Sequence, residues 1–146
     1  MSWYQVIIED SDALSGKSIL KILRVITQNS IVEYVYVSIV EGAMIQSLFP
    51  FVNKFTNSRD VLNAVKSVTQ IDWADFFFYN NVPDSEPSQK ESYPSSIGKS
   101  DLLLRCVDDT YFYVYTKNKF LVEELQSEYS NASVTKGELE YFEYPE

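Results

Sequence analysis

Three carboxylate pairs, Asp10/Asp12, Asp108/Asp109 and Glu123/Glu124, are the first places to look for chemistry in this chain. Neighbouring carboxylates can share acid–base work, flank a glycosidic bond or hold a magnesium ion. The first two pairs fall at expected turns and the third on an expected helix surface. Adjacent carboxylates at a turn ordinarily cap backbone N–H groups, so none of the three is assigned a catalytic role. The chain has no histidine and one cysteine, Cys106. Ser-His-Asp and Cys-His nucleophilic chemistry are therefore excluded, and the commonest zinc ligands are missing. Cys106 lies in the apolar run Leu102-Leu103-Leu104-Arg105-Cys106-Val107, which predicts a buried structural thiol. The expectation is a protein that is not an enzyme and has no catalytic residues, no cofactor and no metal.

Two further motifs look like chemistry and are better explained by local structure. Ser11-Asp12-Ala13-Leu14-Ser15-Gly16-Lys17-Ser18 aligns with the phosphate-binding loop G-x-x-x-x-G-K-[ST], between an expected strand and helix. Its first glycine is Ser11, and Asp12 brings negative charge to a loop that must wrap phosphate in backbone N–H groups. Gly-Lys-Ser recurs at Gly98 to Ser100, so the tripeptide reads as coincidence and Ser15 as a helix cap. Lys17, Lys21 and Arg24 fall at i, i+4 and i+7 and predict a solvated basic helix face.

The charge distribution carries more. Residues 1–73 hold six Lys/Arg and seven Asp/Glu; residues 74–146 hold six and fourteen, and the whole chain carries −9. The acidic half also contains Phe76-Phe77-Phe78-Tyr79, Tyr111-Phe112-Tyr113 and Tyr141-Phe142. An acidic, aromatic surface suits a basic protein partner and opposes binding to nucleic acid or an anionic membrane. Aromatic anchors supply affinity, and opposite charge supplies rate and specificity. The residues expected to bind such a partner are Asp84, Glu86 and Glu91, with Glu138, Glu140, Tyr141, Glu143 and Tyr144.

The elements that must position these residues can be read from periodicity. Trp3 to Glu9 predicts a strand, Ser15 to Thr27 an amphipathic helix, and Ile31 to Val40 a second strand closed by a Glu41-Gly42 turn. Met44 to Phe55, with Pro50, is ambiguous. A short helix from an Asn57 or Ser58 cap runs to Ser67, and an aromatic strand spans Ile71 to Tyr79. Asn80 to Ser100, rich in Pro and Ser, predicts a long polar loop. Asp101 to Asp108 and Thr110 to Thr116 predict a hairpin about Asp108-Asp109. Lys119 to Tyr129 predicts a helix with Phe120, Leu121, Leu125 and Tyr129 inward, and Ala132 to Thr135 a last strand. Residues 137–146 form an acidic-aromatic C-terminal segment, either an edge strand or a mobile arm. The whole predicts a single α+β domain over residues 1–146, with a mixed, mostly antiparallel sheet and about three helices.

The alternation of elements, the acidic charge and the unit Ser100-Asp101-Leu102-Leu103-Leu104 … Tyr111-Phe112-Tyr113-Val114-Tyr115-Thr116-Lys117-Asn118 leading into a helix resemble the small acidic immunity proteins of bacterial toxin–immunity systems. That resemblance implies a cytoplasmic inhibitor that neutralises a basic toxin domain. Other readings stand beside it: a structural or self-associating interaction protein, a nucleic-acid mimic, or a carboxylate-based enzyme. Whether the protein is a monomer or a homodimer stays open. The single cysteine and an N-terminus without a signal-peptide pattern predict a cytoplasmic location.

Overall fold

Strand alternation decides this architecture. The computed structural model describes residues 2–88 and 90–146. Seven strands form one sheet: β1 (Trp3–Glu9), β2 (Tyr34–Ala43), β3 (Phe55–Asn57), β4 (Gln70–Tyr79), β5 (Leu102–Val107), β6 (Tyr111–Thr116) and β7 (Ser133–Gly137). Their order is β3-β2-β4-β5-β6-β1-β7, and every neighbouring pair is antiparallel. The expected α+β class is the one observed. The β5–β6 hairpin turns through Asp108 and Asp109 at φ +52° and +49°, the paired left-handed residues of a turn that follows the strand twist.

Because the pleat has period two, each strand sends alternate residues to opposite faces. Val6, Ile8, Val35, Val37, Phe76, Phe78, Leu102, Leu104, Cys106, Phe112 and Val114 join one core. Helices α1 (Gly16–Asn29), α2 (Ser58–Ala64) and α4 (Lys119–Glu128) cover it, bringing Ile19, Ile22, Leu23, Ile26, Val61, Leu121, Val122 and Leu125. Ser15 caps α1 by accepting from the Ser18 amide, Asn57 caps α2 and Asn118 caps α4. Gly16 is required for packing rather than phosphate. A Cβ there would lie 2.3 Å from the Val68 carbonyl oxygen, to whose carbonyl the Gly16 amide donates at 3.1 Å.

Several expectations are corrected. Strand β2 starts at Tyr34, leaving Ile31 73% exposed, and it runs through Glu41-Gly42 instead of turning there. Met44 to Phe55 contains a short 3-10 helix at Gln46–Phe51 that accommodates Pro50. Phe120 is 58% exposed, because α4 buries the Leu121, Val122, Leu125 stripe. The 80–100 segment contains helix α3 (Tyr93–Gly98), capped by Ser92, started by Pro94 and anchored through Ile97. The C-terminal segment is neither edge strand nor free arm. After β7 it makes a 3-10 turn at Leu139–Tyr141 and crosses the second face of the sheet. There Leu139, Phe142 and Ile97 pack on Trp3, Tyr36, Phe77, Tyr79, Leu103 and Tyr115.

Candidate functional site: an acidic cleft on the open face

The tail and α3 cover the second face only in part. The gap is a cleft of about 790 Å³ lined by Tyr36, Ser38, Ile39 and Glu41 of β2, Trp73, Asp75 and Phe77 of β4, Arg105 of β5, and by Asn53, Pro87, Ser88, Glu91, Tyr93, Ser96 and Glu146. At its floor Asp75 and Arg105 stand opposite each other in the β4–β5 register. The Arg105 Nε–H donates to Asp75 Oδ1 at 2.8 Å, and its Nη1 donates to the Pro145 carbonyl at 2.7 Å. Tyr93 donates its hydroxyl to Asp75 Oδ2 at 3.0 Å, and its ring lies 4.2 Å from the guanidinium. Arg105 is only 3% exposed. Burial pushes the Asp75 carboxyl up from its ordinary range, and the Arg105 guanidinium and Tyr93 hydroxyl draw it back. The Tyr93 hydroxyl is pushed up to about 12, by burial first and then by Asp75, so it remains a donor. A buried pair with satisfied partners is worth little net stability, but breaking it leaves a stranded charge.

The tail is tied down beside this pair. The Glu143 carbonyl accepts from Gln5 Nε2 and from the Tyr115 hydroxyl, each at 3.0 Å. Tyr144 stacks on Tyr93 at 5.5 Å and on Tyr115 at 5.2 Å, and donates its hydroxyl to the Leu139 carbonyl. Through this stack Tyr93, which lines the cleft, is packed against the tail.

The residues expected to bind a partner are divided by this geometry. Glu91 lines the cleft, where Lys99 at 3.0 Å and the Ser95 hydroxyl at 2.9 Å hold its carboxyl below the usual range. Glu86 lies at the same rim, accepting from the Tyr36 hydroxyl at 3.4 Å. Asp84 is exposed on the preceding loop. Glu138, Glu140 and Glu143 are exposed along the tail, Tyr141 is 84% exposed, and none of them lines the cleft. Tyr144 is half-buried and holds the tail in place. Glu41, Trp73, Asp75, Tyr93, Arg105 and Glu146 were not among the expected residues. The available signal was the charge interrupting each of two apolar runs, Asp75 in Trp73 to Phe78 and Arg105 in Leu102 to Val107.

Of the described residues, four carboxylates and one guanidinium line the cleft, and the guanidinium is already paired. Among the described residues, Glu41, Glu86 and Glu146 take part in no ion pair. Among the same residues, no group of three or more His, Cys, Asp or Glu could hold a metal ion, and no helix is long and apolar enough to cross a membrane. Cys106 is fully buried on the helix side, where desolvation pushes its thiol up. The fold and the cleft together define an antiparallel α+β protein with a closed helical face and an open acidic one. The chain matches no protein-family model, no curated protein and no solved structure.

Proposed function

We propose that this protein is a non-enzymatic binding module of the immunity or inhibitor kind, which neutralises a basic protein partner such as a toxin domain through the face that holds the cleft. The observation that carries this reading is the lining itself. Among the described residues, Glu41 and Glu146 of the lining and Glu86 at the rim stand in no ion pair and surround aromatic side chains, while Arg105, the cation of the lining, is locked to Asp75. Such a surface attracts positive charge over distance and offers aromatic contact at close range. Glu138, Glu140 and Glu143 extend the acidic field along the neighbouring tail.

The test is capture from a lysate of the source cells on the tagged protein, eluted with rising salt. A single basic protein released by salt is expected, with capture lost when Glu41, Glu86 and Glu146 are all replaced by Gln. Retention of that protein by the triple variant, or no basic protein in the eluate, would remove this face from the account.

A further inference from the structure

Around Glu41 the sheet is irregular in a way that serves the cleft. Ser38 pairs with Asp75 and Glu41 with Trp73, so three steps on β2 match two on β4. The extra residue bulges β2. Ile39 takes φ +53° at this point, a conformation that β-branched residues rarely adopt. In a regular strand Ser38 and Glu41 would point to opposite faces. With the bulge both line the cleft, together with Ile39, while Val40 packs against the helix-side core. One step later the irregularity is reversed. Gly42 pairs with Ile71, so two steps on β4 match one on β2. A Cβ at Gly42 would meet the Gln70 carbonyl oxygen at 2.2 Å, and its φ is +156°. The Glu41–Trp73 pair is thus bracketed by two compensating shifts, one tolerating strain and one requiring glycine. Trp73 is half-buried and has no aromatic or cation partner among the described residues. Tyr93, by contrast, already carries Arg105 and Tyr144 on its ring.

We propose that Glu41 and Trp73 form the anchor seat for one arginine side chain of the basic partner, a seat created by the bulge at Ile39. This rests on the reading of the cleft as a protein-binding face. A guanidinium can lie flat on the indole while its N–H fork reaches a carboxylate beside the ring. Side-by-side cross-strand positions bring the two groups to that arrangement. The Asp75–Arg105 pair does not compete for the seat, because Arg105 is held by Asp75 and the Pro145 carbonyl. Lysine offers a point charge without the plane and is the poorer occupant.

The probe is the capped tripeptide Ala-Arg-Ala, titrated into the full chain while the two indole N–H resonances are followed, the Trp3→Phe variant assigning them. The Trp73 signal should move and the Trp3 signal should not. The citrulline tripeptide should bind at least tenfold more weakly, the lysine tripeptide severalfold more weakly, and Glu41→Gln should weaken the arginine tripeptide about tenfold with an unchanged melting temperature. Equal binding of the arginine and citrulline peptides, a silent Trp73, or an indifferent Glu41→Gln would overturn the seat. The lysate capture separates this from the broader reading. A basic protein captured equally by the natural chain and by Glu41→Gln/Trp73→Ala overturns the anchor alone. Tripeptide binding with no basic protein captured supports the cation seat and overturns the protein-binding reading.

Discussion

Along β5, Leu102, Leu104 and Cys106 turn towards the helices, while Leu103 and Arg105 turn towards the tail. Along β6, Phe112 and Val114 face the helices, and Tyr113 and Tyr115 the tail. The same strands therefore carry two different surfaces. The helix face is apolar throughout, aliphatic side chains packed around Phe76, Phe78 and Phe112, and it is closed by three helices. The tail face is aromatic and polar, with Gln5, Asp75 and Arg105 buried in it, and its cover stops short. A sheet needs only one well-packed face to stabilise the fold. The second face is then free to hold hydrogen-bonded polar groups and an opening, features that add little stability and are suited to recognition.

Large losses of stability are expected from the helix face. Phe76 is fully buried among the helices, so Phe76→Ala should cost about 3–5 kcal/mol in denaturant unfolding. Trp73→Ala, three residues away on the cleft side, should cost about 1 kcal/mol or less, since its ring is half-buried. Similar costs at the two sites would dissolve the comparison. Next in size is the buried ion pair of the tail face. Arg105→Met strands Asp75 below the surface and should cost about 3 kcal/mol. The double variant Asp75→Leu/Arg105→Met should recover most of that loss, which a pair essential to folding would not allow.

This division also explains what the chain reveals before it folds. The helix face is written in periodicities: α1 follows from the spacing of Ile, Leu and Val, the alternation of β6 from Phe112 and Val114 set between tyrosines, and Asn57 marks the start of α2. The site is written in exceptions. Gly42 reads as a turn because glycine usually marks one, yet here it lets β2 pass close to the Gln70 carbonyl. The phase shift at Ile39 has no local signature, since a β-branched residue is the last expected in a left-handed conformation. Asp75 and Arg105 stand out as charges in apolar runs, but their pairing depends on the β4–β5 register, set by residues far apart in sequence. The path of the tail follows from the Tyr93–Tyr144–Tyr115 stack, which joins three separate segments. Among the expected binding residues, Glu86 and Glu91 reach the cleft because the loop that carries them is its rim.

Alkaline pH should act first on the tail face, where Tyr93 and Tyr144 are raised less than Tyr129 of the helix face. Burial pushes the hydroxyls of Tyr93 and Tyr144 up to about 12, and moves that of Tyr115 in the same direction. In the unfolded chain tyrosine ionises near pH ~10. The folded state thus holds these protons where the unfolded state releases them. Their contribution is complete below pH ~10 and is lost as pH rises through about 12. Tyrosinate absorbance should rise together with loss of the tail's protection from hydrogen exchange, while amides of α1 stay protected. Simultaneous loss on both faces would show that the tail is part of the main cooperative unit.

The smallest expected effect bears most directly on the bulge. Ile39 sits at φ +53° and is 39% exposed, so little packing compensates the conformation. Replacement by glycine removes the steric penalty at that φ but frees the unfolded chain, and the two terms oppose each other. A left-handed non-glycine residue costs roughly 1–3 kcal/mol, and glycine's entropic cost is roughly 0.5–1 kcal/mol. Ile39→Gly should therefore stabilise the protein by about 0.5–1 kcal/mol, read as a higher denaturation midpoint, while the Trp73 resonance responds to the arginine tripeptide as before. Deleting Val40 removes the extra residue instead. Ile39 then takes Val40's place towards the helices, and Glu41, now two residues from Ser38, stays opposite Trp73 on the cleft face, so the tripeptide response should persist in the chain that folds. A response that survives both changes would show that the strain at Ile39 serves only to keep Glu41 in phase with Trp73, whereas a response lost on deleting Val40 would show that recognition needs the shape of the bulge itself.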